Sequence, residues 1–261
     1  MQVNYKDKVI DIEPNSKPYF LKHIISDMFD VMTLFLLFFV INLGLFKSPI
    51  ANTYYSHQAE ATKIIDNCRL ETGLGYQEFV NDETDISGKT VYADSDGKEY
   101  IVVINKDATS EQKQEFATKM NSSQAYKDEI FASNLHRYLI SMLSISLAGL
   151  PLLLIIPLTN KKRATAGQLL TGIALFSKGR QTYAKWYSPL IRYILYFGGF
   201  VILYPWTDIV TFLVIPVIDL IIMLINKDNK TIRDYMSGTM LIEAKSYSSL
   251  EYKANLDNKT K

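Results

Sequence analysis

The stretch Trp186–Ile225, WYSPLIRYILYFGGFVILYPWTDIVTFLVIPVIDLIIMLI, decides the fold. Its 40 residues carry three charges, Arg192, Asp208 and Asp219. As one helix it would be roughly 60 Å long, about twice the ~30 Å hydrocarbon core of a bilayer. The chain must therefore fold back. The turn-like centre is Tyr204-Pro205-Trp206-Thr207-Asp208. Proline stops a helix, Thr or Asp caps the next one, and Tyr and Trp favour the membrane interface. The reading is two spans within 188–226, with a hairpin at 205–208. The other reading is one span plus an interfacial helix.

Two further apolar runs lie upstream. Met28–Phe46 has 19 residues with one charge, Asp30, and Tyr138–Thr159 has 22 with none. Four spans predict a membrane all-α fold, a four-helix transmembrane bundle. The whole-chain averages conceal this. A net charge of +1 and a mean hydropathy of +0.02 over 261 residues resemble a soluble globule. Yet residues 48–135 hold 8 Lys+Arg and 15 Asp+Glu, and all the long apolar runs lie in the basic remainder. An apolar share of 48 % and a single cysteine exclude disordered and disulfide-rich classes.

Four spans put both termini on one side, and basic short segments mark the inside. Lys6, Lys17 and Lys22 precede span 1. Lys161, Lys162, Arg163, Lys178 and Arg180 follow span 2, and Lys227, Lys230 and Arg233 follow span 4. The expected organisation is a cytoplasmic segment 1–27, span 28–47, an extracytoplasmic insertion 48–136 and span 137–159. A cytoplasmic amphipathic loop 160–187, the span pair 188–226 and a cytoplasmic tail 227–261 follow. This is a multi-pass protein of a bacterial-type plasma membrane. The first span is an uncleaved anchor, because its apolar run exceeds that of a signal peptide and no small-x-small site follows closely.

The insertion reads as a small α/β cap. Residues 48–70 have helical patterning that Gly73 and Gly75 end. Residues 90–105 read as a hairpin around Asp94-Ser95-Asp96-Gly97. Thr109 and Gln112 stand at capping-box spacing ahead of a polar helix over 109–136. Ser87-Gly88-Lys89-Thr90 imitates the end of a phosphate loop, but Glu83 replaces its first glycine. Asp94, Asp96 and Glu99 imitate a calcium loop, but Tyr92 and Val103 stand where its outer carboxylates belong.

No H-E-x-x-H, G-x-S-x-G or G-x-G-x-x-G occurs. No catalytic residue, metal or cofactor is expected, and the protein reads as a non-enzyme. The dispersed inner basic residues serve orientation, so nucleic acid is not an expected partner. The expected partners are the lipid bilayer, a small ion or ligand, and a surface protein bound by the cap.

Charge inside a bilayer is costly and marks a functional hypothesis. At 100° per residue, His23, Asp27 and Asp30 share one face of span 1. Asp219 lies about 9 Å inside the end of span 4, and Arg192 lies near the inner end of span 3. One reading pairs Arg192 with Asp30 or Asp219 along an ion or proton path. The other has Arg192 snorkelling and Asp27 at the headgroups, with any buried pairs holding the bundle together.

Thr165-Ala-Gly167-Gln-Leu-Leu-Thr-Gly172-Ile-Ala-Leu175 resembles the T-P-G-K-x-L-x-G-L-x-V segment of the RDD family of membrane proteins. Thr231-Ile-Arg-Asp234-Tyr-Met-Ser-Gly238-Thr239-Met-Leu-Ile242 resembles its T-L-H-D-x-x-A-G-T-x-V-V ending. The family also places Arg at the start of span 1 and Asp seven residues later, where this chain has His23 and Asp30. The resemblance covers residues 18–47 and 137–244. It implies a plasma-membrane bundle in which Asp30 and Asp234 are the name-giving aspartates. It also implies transport of an unidentified ligand, sodium/proton exchange in some members and membrane scaffolding in eukaryotic relatives. A packing role competes. Thr231 and Asp234 cap a helix, Gly238 ends it, and Gly167 allows close approach. The expected function is a small secondary transporter moving a cation or proton-coupled ligand. The alternative is an accessory or scaffold protein acting through its cap.

Overall fold

The computed structural model describes residues 2–5, 8–11, 20–81, 84–177, 184–225 and 230–244. Glu83, Lys6, Lys17, Lys178, Arg180, Lys227 and the tail 245–261 lie outside them. The chain is mostly helical and divides into two compact units, Met1–Gly44 with Ser141–Lys261, and Leu45–Ile140. Three helical stretches are long and apolar enough to cross a membrane: Leu21–Phe46, Gln124–Thr159 and Tyr187–Ile225.

In the first unit, strands β1 (Gln2–Tyr5) and β2 (Lys8–Asp11) form an antiparallel pair. Helix α1 is Phe20–Phe46. Helix α4 (Gln124–Gly149) enters the unit at Ser141 and passes through a π turn, Leu150–Ile155, into α5 (Ile156–Thr159). Pro151 lacks the N–H that an α-turn requires, and a widened turn accommodates the loss. The third stretch breaks where the sequence demands a reversal. Helix α7 is Tyr187–Thr207, a 3-10 turn covers Asp208–Val210, and α8 is Thr211–Ile225. The break falls at Asp208 (φ 48°, ψ −132°), and the helix runs through Pro205. A proline so near the helix end removes one N–H, and the Thr207 hydroxyl donates to the Leu203 carbonyl at 2.9 Å in the last turn.

The two arms lie antiparallel. Phe200 packs on Phe212, their ring centroids 4.8 Å apart, and Gly199 faces Ile215. Phe35 and Phe38 of α1 reach the same Phe212 at 5.5 and 5.0 Å. Asn42 of α1 donates to Ser141 of α4, and Tyr193 of α7 donates to the Ser146 carbonyl. The outer faces stay apolar and exposed, as Leu36, Val40, Ile202 and Leu213 show, the pattern of helices meant for lipid.

Short elements complete this unit: α6 (Ala166–Leu170), β6 (Ile173–Ser177), α9 (Ile232–Ser237) and β7 (Thr239–Glu243). Strands β6 and β7 pair antiparallel, Leu175 opposite Leu241. Both faces of the pair are buried, with Ala174, Phe176, Met240 and Ile242 on one and Ile173, Leu175 and Leu241 on the other. The sequence reading had a single amphipathic loop here. A five-residue apolar run does not reveal its period.

The second unit holds α2 (Asn52–Glu71), strands β3 (Gly75–Phe79), β4 (Val91–Ala93) and β5 (Glu99–Ile104), and α3 (Ser110–Ser122). The sheet order is β3-β5-β4, all antiparallel. The expected hairpin is β4–β5, and β3 joins its other edge. The Asp94 carboxylate accepts from the Asp96 and Lys98 amides, so this acid shapes the turn. Ser87-Gly88 forms a turn as well, with no helix after it to present amides to a phosphate. Thr109 and Gln112 form the capping box. The polar helix after it is interrupted at Ser123, whose extended backbone ends α3 and whose hydroxyl accepts from the Tyr126 amide at the start of α4. Tyr92 donates to Asp66 at 2.8 Å, and burial with that partner raises the phenol to about 12.

Candidate functional site

Two charged side chains from the long helices dock onto two short helices. Thr165 N-caps α6 in a capping box with Gln168. Asp30, on α1, completes that end. Its Oδ2 accepts from the Thr165 hydroxyl at 2.5 Å and its Oδ1 from the Gly167 amide at 2.7 Å. Gly167 is required by the contact, since a Cβ there would lie 2.2 Å from the Ser26 carbonyl oxygen. The second short helix repeats the plan. Thr231 N-caps α9 in a box with Asp234. The Asp234 carboxylate accepts from the Thr231 amide and hydroxyl and pairs with the Arg192 guanidinium of α7. Thr239 bridges this pair, accepting from Arg192 at 3.3 Å. Gly238 closes α9 with φ 64°.

The correspondence extends further. Thr165 and Thr231 each precede, by seven positions, a glycine at positive φ, Gly172 (71°) and Gly238 (64°). Each glycine opens a five-residue strand, and the two strands pair with each other. Each half thus runs long helix, long helix, capped turn, strand. In each, a charged residue of the first long helix (Asp30 or Arg192) docks onto that half's own cap.

The remaining acids converge on a residue that the sequence reading did not single out. Arg233, on α9, lies 2.6 Å from Asp219 of α8 and 3.8 Å from Asp27 of α1, with its guanidinium 5.3 Å from the Tyr196 ring centre. The 2.6 Å contact is an ion pair in which the Nε–H is not aimed at the carboxylate oxygen. The signal for Arg233 was present. It stands where the RDD ending has His, while His23 stands where the first span has Arg. His23 is 2 % exposed with Nε2 unbonded, and the Ser26 hydroxyl is unbonded too.

The expected pairing of Arg192 with Asp30 or Asp219 is therefore not the one formed. Asp30 is held by uncharged donors, Asp219 by Arg233, and Arg192 by Asp234. Burial opposes the Arg233 charge, but Asp219 and Asp27 outweigh it and raise the guanidinium above its usual range. Burial likewise opposes the Asp234 charge. Arg192 and the Thr231 amide override it and hold this carboxyl below the usual carboxylate range.

Membrane-length helices carrying buried ion pairs against a capped, apolar two-strand layer define a membrane protein. The sequence comparison finds a family match over part of the chain. Residues 116–238 match the model of the RDD family, whose members are membrane proteins, so the chain carries an RDD region. The matched residues include Gly167, Arg192, Asp219 and Asp234, while His23 and Asp30 precede them. No curated protein and no solved structure matches the chain.

Proposed function

We propose that this protein is a non-enzymatic, multi-pass carrier of a cation or a proton-coupled ligand. The observation that carries the reading is that two carboxylates share one guanidinium, Asp219 at 2.6 Å and Asp27 at 3.8 Å from Arg233. Asp234 pairs with Arg192, and Asp30 is held by the Thr165 hydroxyl and the Gly167 amide. A second carboxylate on one guanidinium suits a cation or a proton. Asp219 and Asp27, which share Arg233, are the exchanging groups. Asp30 and Asp234, each fixed by a cap, are positioning groups. In this reading both arms of the third stretch cross a plasma membrane, giving four spans. The termini and the β6–β7 layer face the cytoplasm, and Leu45–Ile140 faces outward. The basic inner segments support that orientation.

The test is reconstitution in liposomes with sodium- and pH-reporting dyes. Wild type should show coupled flux that Asp219→Asn removes. No flux in wild type, or unchanged flux in the variant, overturns the reading.

A second reading is a scaffold that engages a surface protein through the outer unit. It is supported by the compactness of that unit and by its exposed aromatics Tyr76, Phe79 and Phe131. Deleting 50–134 with a short linker separates the readings. Flux retained with loss of a co-purifying partner would favour a modular binder.

A further inference from the structure

Helices α1 and α8 leave a groove of about 250 Å³ between them. Its walls are Ile24, Met28 and Val31 of α1 and Leu213, Val217 and Leu220 of α8. It lies where the first long helix of one half meets the second long helix of the other. Met28, Leu213 and Val217 are exposed, so the groove opens on the apolar outer face. Among the described residues, one charged side chain lines it, Asp27. That carboxylate is only partly compensated. Arg233 is 3.8 Å from it and is held more closely by Asp219 at 2.6 Å. A smaller cavity lined by Asp27, Asp30, Tyr196, Pro216 and Arg233 adjoins the groove and shares Asp27 and Pro216 with it.

We propose that this groove binds an amphipathic organic cation, its apolar body lying between α1 and α8 and its ammonium against Asp27. Charge complementarity selects this occupant. A neutral acyl chain would fill the walls equally well but leave the carboxylate unmatched, and an anionic amphiphile would oppose it. Volume and walls supply apolar burial, and a single acid supplies sign selectivity, the division of labour typical of small-molecule sites. Opening toward lipid suits a ligand that partitions into the bilayer before it binds. The inference names the substrate class of the carrier proposed above and rests on that reading for the fate of the ligand, but binding is measurable without transport.

The experiment uses the full chain in nanodiscs and decyltrimethylammonium as the probe, with decanol and decyl sulfate as neutral and anionic competitors. Saturable binding of the ammonium is expected, with each competitor at least about tenfold weaker, the ratio that 1.4 kcal/mol of charge pairing gives. Asp27→Asn should erase that preference, and Val217→Trp, which fills the groove without touching a charge, should abolish binding. Equal competition by decanol means that the groove holds any apolar chain, lipid tails included, and overturns the proposal. So does ammonium binding that survives Val217→Trp. Where Asp27→Asn does not fold, the wild-type competitor series and Val217→Trp decide alone. Selective ammonium binding without sodium or proton flux counts against the carrier reading only. Flux without such binding counts against this inference only.

Discussion

The Arg192 guanidinium and the Asp234 carboxylate are buried against each other, one on the first turns of α7 and the other at the third position of α9. Each is the other's ionic partner, with Thr239 also accepting from Arg192 and the Thr231 amide donating to Asp234. Removing one charge leaves the other stranded. Asp234→Asn and Arg192→Met should each cost about 3–5 kcal/mol. The double replacement should cost less than the sum, because no unpaired charge remains. Chemical unfolding in detergent, followed by tryptophan fluorescence, measures both. Additive losses would show that the two residues act independently.

The same pair sets a pH dependence. Asp234 is held below the usual carboxylate range. Its contribution to stability is therefore complete above the unfolded value of about 3.9 and is lost as pH falls through the folded value. Unfolding midpoints of wild type and Asp234→Asn should differ by a constant amount from pH 7 down to about 5 and converge below about 4. A gap that closes instead between pH 6 and 7 would assign the dependence to another group.

Gly167 and Gly172 separate two reasons for glycine, one within α6 and one just after it. At Gly167 the backbone angle is ordinary, but a Cβ would meet the Ser26 carbonyl oxygen at 2.2 Å and the Asp30 carboxylate at 3.0 Å. At Gly172 nothing lies within 4 Å, but φ is +71°. Gly167→Ala should therefore cost about 2–3 kcal/mol through overpacking and a displaced Asp30. Gly172→Ala should cost about 1 kcal/mol through backbone strain. Equal losses in the same unfolding assay would refute the close-approach account.

The long helices were legible in the sequence because hydrocarbon length is a property of a run, and runs can be counted. A break near 205–208 was legible from the length of the run, and it falls at Asp208. Pro205 can end a helix or sit within its last turn, and here the helix runs on to Thr207. The β6–β7 layer was not legible, since Ile173–Ser177 and Thr239–Glu243 are short apolar runs that only mutual pairing turns into strands. The charge pairs were half legible. Asp30, Asp219 and Arg192 stand out by their cost in an apolar run, but their partners come from α6 and α9, far away in sequence. Arg233 escaped notice because it lies in a polar segment where a cation costs nothing locally. The recurring Thr-x-x-(Gln/Asp)-x-x-x-Gly spacing was readable from Thr165 and Thr231, but two eight-residue matches mean little until their strands are seen to pair.

The orientation can be tested at positions the structure shows to be accessible. Cys68 is buried, and burial raises its thiol above the usual range, so it labels poorly in the folded protein. In a Cys68→Ala background, Ser95→Cys lies in the exposed β4–β5 turn and Lys161→Cys in the exposed segment before α6. An impermeant maleimide on intact cells should label the first and not the second, and permeabilisation should reveal the second. The opposite pattern would invert the assignment of inside and outside.

His23 and Arg233 exchange the residue types that the RDD pattern carries at these two positions. The RDD pattern has Arg at the start of the first span and His in the ending, and this chain has the reverse. The two positions are linked through Asp27, which lies one turn after His23 on α1 and 3.8 Å from Arg233. A guanidinium at Arg233 balances Asp219 at 2.6 Å and Asp27 at 3.8 Å. Arg233→His alone leaves those acids without a fixed cation and should cost several kcal/mol at pH 8, where an exposed imidazole is neutral. His23→Arg alone adds a second cation to a site that has one and should also destabilise. If either location can serve the cluster, the double exchange should recover about 1–3 kcal/mol relative to the sum of the single losses. Unfolding in detergent at pH 8 gives the cycle. A coupling energy near zero would mean that the fold needs its cation at α9 specifically, with His23 a buried polar residue rather than the vacated seat of a charge.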